Sequence, residues 1–446
     1  MNIGRNLSGV RCGDTTARFR LCCSSLRLSL FLFTLFSLMP ASAMSQTDKS
    51  LDRAKAIIKA APIIDGHNDL AWEIRTSKTA PFDVDAYDLR QTTPGHTDFA
   101  RLAAGGIGGQ FWSIYVPGEV KDSGYAKIQL EEFDIARRFI AKYPDKFTLA
   151  LTAADIEAAN KAGRIASLLG MEGGHAIENS LGALRMYYDL GARYMTLTHN
   201  VTLDWADAAL DKPVHSGLTA FGREVVLEMN RLGMMVDLSH VSPGVMSDAL
   251  DVTQSPVIFS HSSARALVDF PRNIPDSILA RMPKNGGVVM VTFVPAFVST
   301  EVMQWEKKAG DWKPVGVAET DTAAVKAQRE EWLKANPSPK ATLSQVADHI
   351  DHVKKVAGAD HVGIGSDFDG IDTTPTGLED VSTFPALFAE LIRRGWSDED
   401  LKKLARYNVL RVLKANEQVA AQLQKTKRPS VQTIQQLDGA AAQAVP

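Results

Sequence analysis

The chain has 446 residues, 45% of them hydrophobic and 23% charged, with 49 Lys and Arg against 52 Asp and Glu for a formal net charge of −3. This composition belongs to a globular protein with a large core. It excludes a disordered chain, a coiled coil and a polybasic nucleic-acid binder.

Residues 1–43 read as a secretory signal peptide. Arg5, Arg11, Arg18, Arg20 and Arg27 precede an apolar run at 28–39, and Ala41-Ser42-Ala43 offers a small-residue cleavage site. The run is too short to span a bilayer comfortably, a retained anchor being the alternative. The expected product is secreted, or periplasmic in a Gram-negative cell, with no stable membrane anchor. Cys12, Cys22 and Cys23 are the only cysteines and leave with this segment. Thiolate catalysis, Cys-based zinc sites and disulfides are thereby excluded from the remainder.

From there the chain alternates short apolar runs with helical patterns. Eight runs of strand type lie at 62–69, 107–116, 165–173, 194–199, 234–240, 256–261, 287–293 and 361–369. Most are nearly continuous Val, Ile, Leu and Met, as in parallel strands buried on both faces. Helical spacing lies between many of them, as in Phe221, Val225, Met229 and Leu232. Gly105 to Gly109 reads as a tight entry from helix to strand. Ser397, three residues before Asp400, reads as a helix start. Eight strands alternating with helices predict a single (β/α)8 barrel over residues 44–420, with a doubly wound open sheet as the alternative. The excursion at 299–360 reads as a helical elaboration, a lid or a subunit contact, and residues 421–446 as a flexible tail.

Six of the eight runs end, at their carboxyl side, in a metal ligand or proton carrier: His67-Asn68-Asp69, Glu172, His199, His240, His261 and Asp367. In a barrel those ends form one rim, where active sites sit. His67 and Asp69 are two apart and share one face of a strand. Imidazoles with carboxylates suit zinc and similar divalent ions. Five ligands exceed the needs of one catalytic zinc, and Glu172 can bridge two ions about 4 Å apart that hold a hydroxide. Taken singly, each strand-end histidine also reads as a structural residue, and Glu172 with Asp367 as loop carboxylates or a glycosidase pair. Of the other histidines, His361 is placed on the opposite rim, His349 and His352 on a solvated helix face, His96 and His215 in loops, and His175 close behind the site. A nucleophile elbow, a Walker loop and a dinucleotide fingerprint are absent from the sequence.

The segments Asp65-Gly66-His67-Asn68-Asp69, Met171-Glu172-Gly173-Gly174-His175 and Thr196-Leu197-Thr198-His199-Asn200 resemble motifs of the membrane (renal) dipeptidase family of zinc peptidases. So do Val236-Asp237-Leu238-Ser239-His240, Phe259-Ser260-His261-Ser262, Pro271-Arg272-Asn273 and Gly365-Ser366-Asp367-Phe368-Asp369-Gly370, all in family order between about Leu51 and Ala415. The resemblance implies a distorted barrel of the metal-dependent hydrolase type that cleaves dipeptides with two zinc ions per subunit. By matching motif, His67 and Asp69 would bind one ion, His240 and His261 the other, and Glu172 both. His199, Arg272 and Asp367 would contact substrate, with His199 facing the oxyanion, Arg272 the terminal carboxylate and Asp367 moving the proton. Family members can accept a D-residue on the C-terminal side, and some open β-lactams. A homodimer is implied, here without disulfides. Val294-Pro295-Ala296-Phe297 departs from animal relatives, so a side-chain hydroxyl contact to substrate is not expected there. Two competing readings are a related barrel amidohydrolase acting on a lactone, cyclic amide or phosphoester, and a metal-buffering protein without turnover. The third run offers Glu172 rather than the bridging lysine common in the former, and Arg272 with Asp367 would be superfluous in the latter.

Overall fold

Nine strands run parallel among the described residues: β1 (Ile63–Asn68), β2 (Ile107–Tyr115), β3 (Phe147–Leu149), β4 (Ile165–Glu172), β5 (Ala192–Thr196), β6 (Met235–Asp237), β7 (Ile258–Phe259), β8 (Val288–Val291) and β9 (Val362–Ile364). The computed structural model describes residues 41–120, 124–318 and 320–439. The leader assigned to 1–43 lies outside them but for its last three residues, which open the helix Ala41–Ala60. The strand order is β2-β1-β9-β8-β7-β6-β5-β4, and β2 pairs with β4 to close an eight-stranded barrel. The eight apolar runs correspond to these eight strands. They are continuous because each strand is buried on both faces, by the barrel interior and by the helices outside.

β3 is additional and explains the distortion. It pairs with residues 165–167 of β4, whereas β5 takes up β4 only from 169, and β2 follows β4 from 166 to 172. An extra short strand therefore fills the lower edge where β5 has not yet begun.

Phe111, Leu168, Tyr194, Met235, Ile258, Val288 and Met290 share the barrel core with Val409, Leu410, Val412 and Leu413, which close it as a floor from the helix Asn408–Thr426. Glycines make room for large neighbours. A Cβ at Gly170 would sit 2.0 Å from the Tyr194 ring, so the ring lies across β4 only because that position is bare. Gly106 caps the helix Phe99–Gly105 with a φ of 75° and leads directly into β2, the tight entry expected.

The excursion after β8 is helical, with Thr300–Gly310, Thr322–Ala335 and Leu343–Ala357. Ser397 caps the helix Asp398–Lys402 by accepting the N–H of Asp400. The segment from 421 is not a free tail. The helix Asn408–Thr426 runs through it, and a capped helix Ile434–Asp438 buries Ile434. Asp438 accepts the Thr219 hydroxyl and the Phe221 N–H at the start of the helix Ala220–Leu232. Residues from 440 lie outside the described part.

Candidate metal centre

The strand ends and the loops just beyond them bring the candidate residues together. His67 lies in β1 and Asp69 just after it, and Glu172 ends β4. His199, His240 and Asp367 stand three residues past β5, β6 and β9, and His261 two past β7. His240 (φ 70°) and Asp367 (φ 68°) adopt left-handed backbone conformations. These cost roughly 1–3 kcal/mol each in non-glycine residues and persist where surrounding structure enforces them.

Glu172 is the hub. Its Oε1 is 2.9 Å from His240 Nε2, 3.4 Å from His261 Nε2 and 3.9 Å from His199 Nε2, while Oε2 is 3.3 Å from His67 Nε2. His67 Nε2 also faces Asp69 Oδ2 at 3.2 Å and Asp367 Oδ1 at 3.8 Å. The six groups nearest this hub are buried or nearly so. Burial opposes ionisation of Glu172, yet the imidazoles of His67 and His240 overcome it and hold the carboxyl well below its usual range. Burial, with Arg272 nearby, keeps His240 neutral, and burial together with His67 does the same for His261. Asp367 is pushed the other way, well above the usual carboxylate range, by burial and by the neighbouring carboxylates of Asp69 and Glu172, against His67.

The groups behind the rings decide where the imidazole protons lie. The Tyr194 hydroxyl donates to the Gly66 carbonyl at 3.1 Å, so its oxygen accepts from His67 Nδ1 at 2.9 Å. The Asn200 Oδ1 accepts from His240 Nδ1 at 3.1 Å. Ser260 Oγ donates to Asp237 and accepts from His261 Nδ1 at 2.8 Å. His240 and His261 therefore carry the proton on Nδ1 and present a bare Nε2 to Glu172, whereas in His67 burial is outweighed by the surrounding Tyr194, Glu172 and Asp69, which push the imidazole well above its usual range. His240 Nε2 and His261 Nε2 lie 2.8 Å apart, and His67 Nε2 is buried without a hydrogen bond. Lone pairs meeting lone pairs and a carboxylate in a dry pocket repel one another unless cations sit between them. The donor set thus fits divalent metal. His199 differs, since its Nδ1 is buried with nothing behind it.

A cleft of about 400 Å³ opens over this group, lined by Trp72, Tyr115, His199, Arg272, Phe297 and Asp367 among others. Arg272 is buried, yet its hydrogen bonds are the long ones to Ser262 Oγ (3.3 Å) and the His261 carbonyl (3.4 Å). Its guanidinium faces the Phe297 ring at 5.4 Å. Val294 and Phe297 line the cleft as apolar groups, as their types suggest.

The remaining histidines divide as follows. His175 is buried against the Val116 carbonyl (2.8 Å) and lies outside the donor cluster. His361 immediately precedes β9, at the far end of the barrel from the strand ends that carry the cluster, and is bonded to the Gly287 carbonyl. His352 pairs with Asp276. His349 corrects the solvated-face expectation: it is buried, with Nδ1 accepting the Ala264 N–H at 3.0 Å. The loop after β7 covers it, which the charged neighbours on its helix conceal. Tyr194, Asn200, Ser260 and Asp237 had no assigned role in the sequence. The signal available was their place beside or beneath a ligand-type histidine.

The profile of the family described as membrane dipeptidase (peptidase family M19) matches residues 51–427. The dipeptidase verJ of Clonostachys rogersoniana is 39% identical over 396 residues, covering 86% of this chain and 92% of its own. Among solved structures, the probable dipeptidase PvdM of Pseudomonas aeruginosa shares the fold, with a TM-score of 0.73 at 24% identity over 84% of this chain and 100% of that one. A metallopeptidase of Rhodobacter sphaeroides, liganded with a phosphinate mimic of the dipeptide L-Ala-D-Ala, matches with a TM-score of 0.65 at 25% identity over 80% and 99% of the two chains.

Proposed function

The chain belongs to the membrane dipeptidase family of metallopeptidases, and we propose that it hydrolyses dipeptides with two zinc ions, including dipeptides that end in a D-residue. His67 and Asp69 would hold one ion, His240 and His261 the other, and Glu172 would serve both. The observation that carries this reading is the convergence of the Nε2 atoms of His67, His240 and His261 on one carboxylate, that of Glu172. When bound, such a pair lowers the pKa of water from about 15.7 toward 7 and polarises a carbonyl.

The chain's own residues supply the rest. Arg272 is a buried cation with weak internal partners. The substrate's terminal carboxylate supplies the charge it lacks and matches its planar fork with two hydrogen bonds. Burial holds His199 below the usual imidazole range, so it enters as a neutral donor aimed at the developing oxyanion. Asp367 lines the same cleft beside His67, and as a carboxylate there it would accept a proton from the attacking water and return it to the leaving amine. Acceptance of a D-residue draws support from the ligand of the Rhodobacter sphaeroides relative. Export after loss of residues 1–43, and assembly as a homodimer without disulfides, rest on the leader-like sequence and the family resemblance. Among the described residues no helix is long and apolar enough to cross a membrane.

The deciding experiment measures hydrolysis of L-Ala-L-Ala and L-Ala-D-Ala before and after chelation, with metal quantified on the same samples. Two zinc ions per chain, loss of both activities on chelation and recovery with zinc are expected. Undiminished turnover by metal-free protein would contradict the reading.

A further inference from the structure

We propose that Asp237 is a positioning residue for the metal centre, fixing through Ser260 which nitrogen of His261 carries the proton; this rests on the two-ion reading above. Asp237 closes β6, is wholly buried, and takes no part in the mechanism just described. Its Oδ1 accepts the backbone N–H groups of Ser239 at 3.0 Å and Ser260 at 2.9 Å, and its Oδ2 accepts the Ser260 hydroxyl at 2.5 Å. A serine hydroxyl has one proton to give. With that proton committed to Asp237, Oγ can only accept from His261 Nδ1, 2.8 Å away. The lone pair of His261 is thereby locked on Nε2, toward Glu172.

The three imidazoles are not equivalent in this respect. A phenol stands behind His67 and a carboxamide behind His240. Behind His261 a carboxylate stands one hydroxyl away, and a carboxylate raises the basicity of a ligating imidazole. The ion held by His240 and His261 therefore depends on Asp237, whereas the ion held by His67 and Asp69 does not.

Asp237→Asn makes a distinctive prediction. The amide oxygen can keep both backbone N–H groups, which leaves the amide nitrogen facing Ser260 as a donor. The hydroxyl then turns its own proton toward His261 Nδ1, and the imidazole proton moves to Nε2, where it blocks coordination. Ser260→Ala only removes the acceptor behind the ring. The double variant removes the reversed hydroxyl as well.

Zinc affinity is measured by competition with a chromophoric chelator, and zinc retained per chain by elemental analysis, with circular dichroism to verify folding. Asp237→Asn should weaken one of the two ions by roughly 10–100-fold, Ser260→Ala by less, and the double variant should bind that ion more tightly than Asp237→Asn. A purely structural carboxylate predicts the opposite, a double variant no better than Asp237→Asn. That ordering, or wild-type affinity for both ions in Asp237→Asn, overturns the proposal. Should Asp237→Asn fail to fold, Ser260→Ala decides alone, and unchanged affinity at both sites overturns it. Wild-type protein that binds no zinc defeats the two-ion reading itself, and the role of Asp237 with it.

Discussion

Tyr194 and His67 are joined by a hydrogen bond of 2.9 Å in which the phenol oxygen must be the acceptor, because its one proton goes to the Gly66 carbonyl. Tyr194→Phe removes that acceptor and keeps the ring. Affinity for the ion at His67 and Asp69 should fall by roughly 10–100-fold, read by chelator competition. The ion at His240 and His261 should be spared.

Glu172→Gln keeps the shape of the hub and removes its charge. Because Oε1 and Oε2 face different histidines, both ions should be bound more weakly and turnover should be lost. Elemental analysis after dialysis checks this. Two ions fully retained would show that Glu172 does not serve both.

Arg272→Ala should raise KM for dipeptides by about 100-fold, the value of a charged hydrogen-bonding pair of about 3 kcal/mol, and leave metal content unchanged. Arg272→Lys should recover little, since an ammonium lacks the planar fork. An unaltered KM in Arg272→Ala would remove this residue from the substrate site.

His349 yields a pH prediction. Burial pushes its imidazole down to about 4, and as a neutral ring it accepts the Ala264 N–H. The unfolded chain, with an ordinary histidine pKa near 6.5, binds more protons than the folded chain between about pH 6.5 and 4. This contribution to stability is therefore complete above about pH 6.5 and is lost as pH falls toward 4. In His349→Gln the slope of unfolding free energy against pH should be shallower in that window. Urea melts at pH 7 and pH 5 measure the difference.

How much of this was legible beforehand depends on what each residue has to satisfy. Strands of a parallel barrel are buried on both faces, so each leaves an unbroken apolar run, and all eight stand out. The ligand-type residues stand out too, because they interrupt such runs at one end. β3 has three residues, too few to impose any pattern. His349 sits on a helix among Asp348, Asp351 and Lys354, and only the loop after β7, distant in sequence, buries it. Residues 421–438 lack strong periodicity, yet Asp438 and Ile434 find partners on the helix Ala220–Leu232 and in the core. The groups behind the imidazoles escaped notice for a similar reason. Tyr194 looks like one more core residue of β5, and its reach to β1 depends on which strands face each other across the barrel.

Gly170 beneath the Tyr194 ring couples two properties that are usually separable. The phenol plugs the barrel and steadies His67 with the same side chain, so even one methyl group added on β4 would be transmitted across the interior to that imidazole. Attempts to harden this scaffold by filling its centre would meet their first penalty in metal retention, before any loss showed in a melting curve.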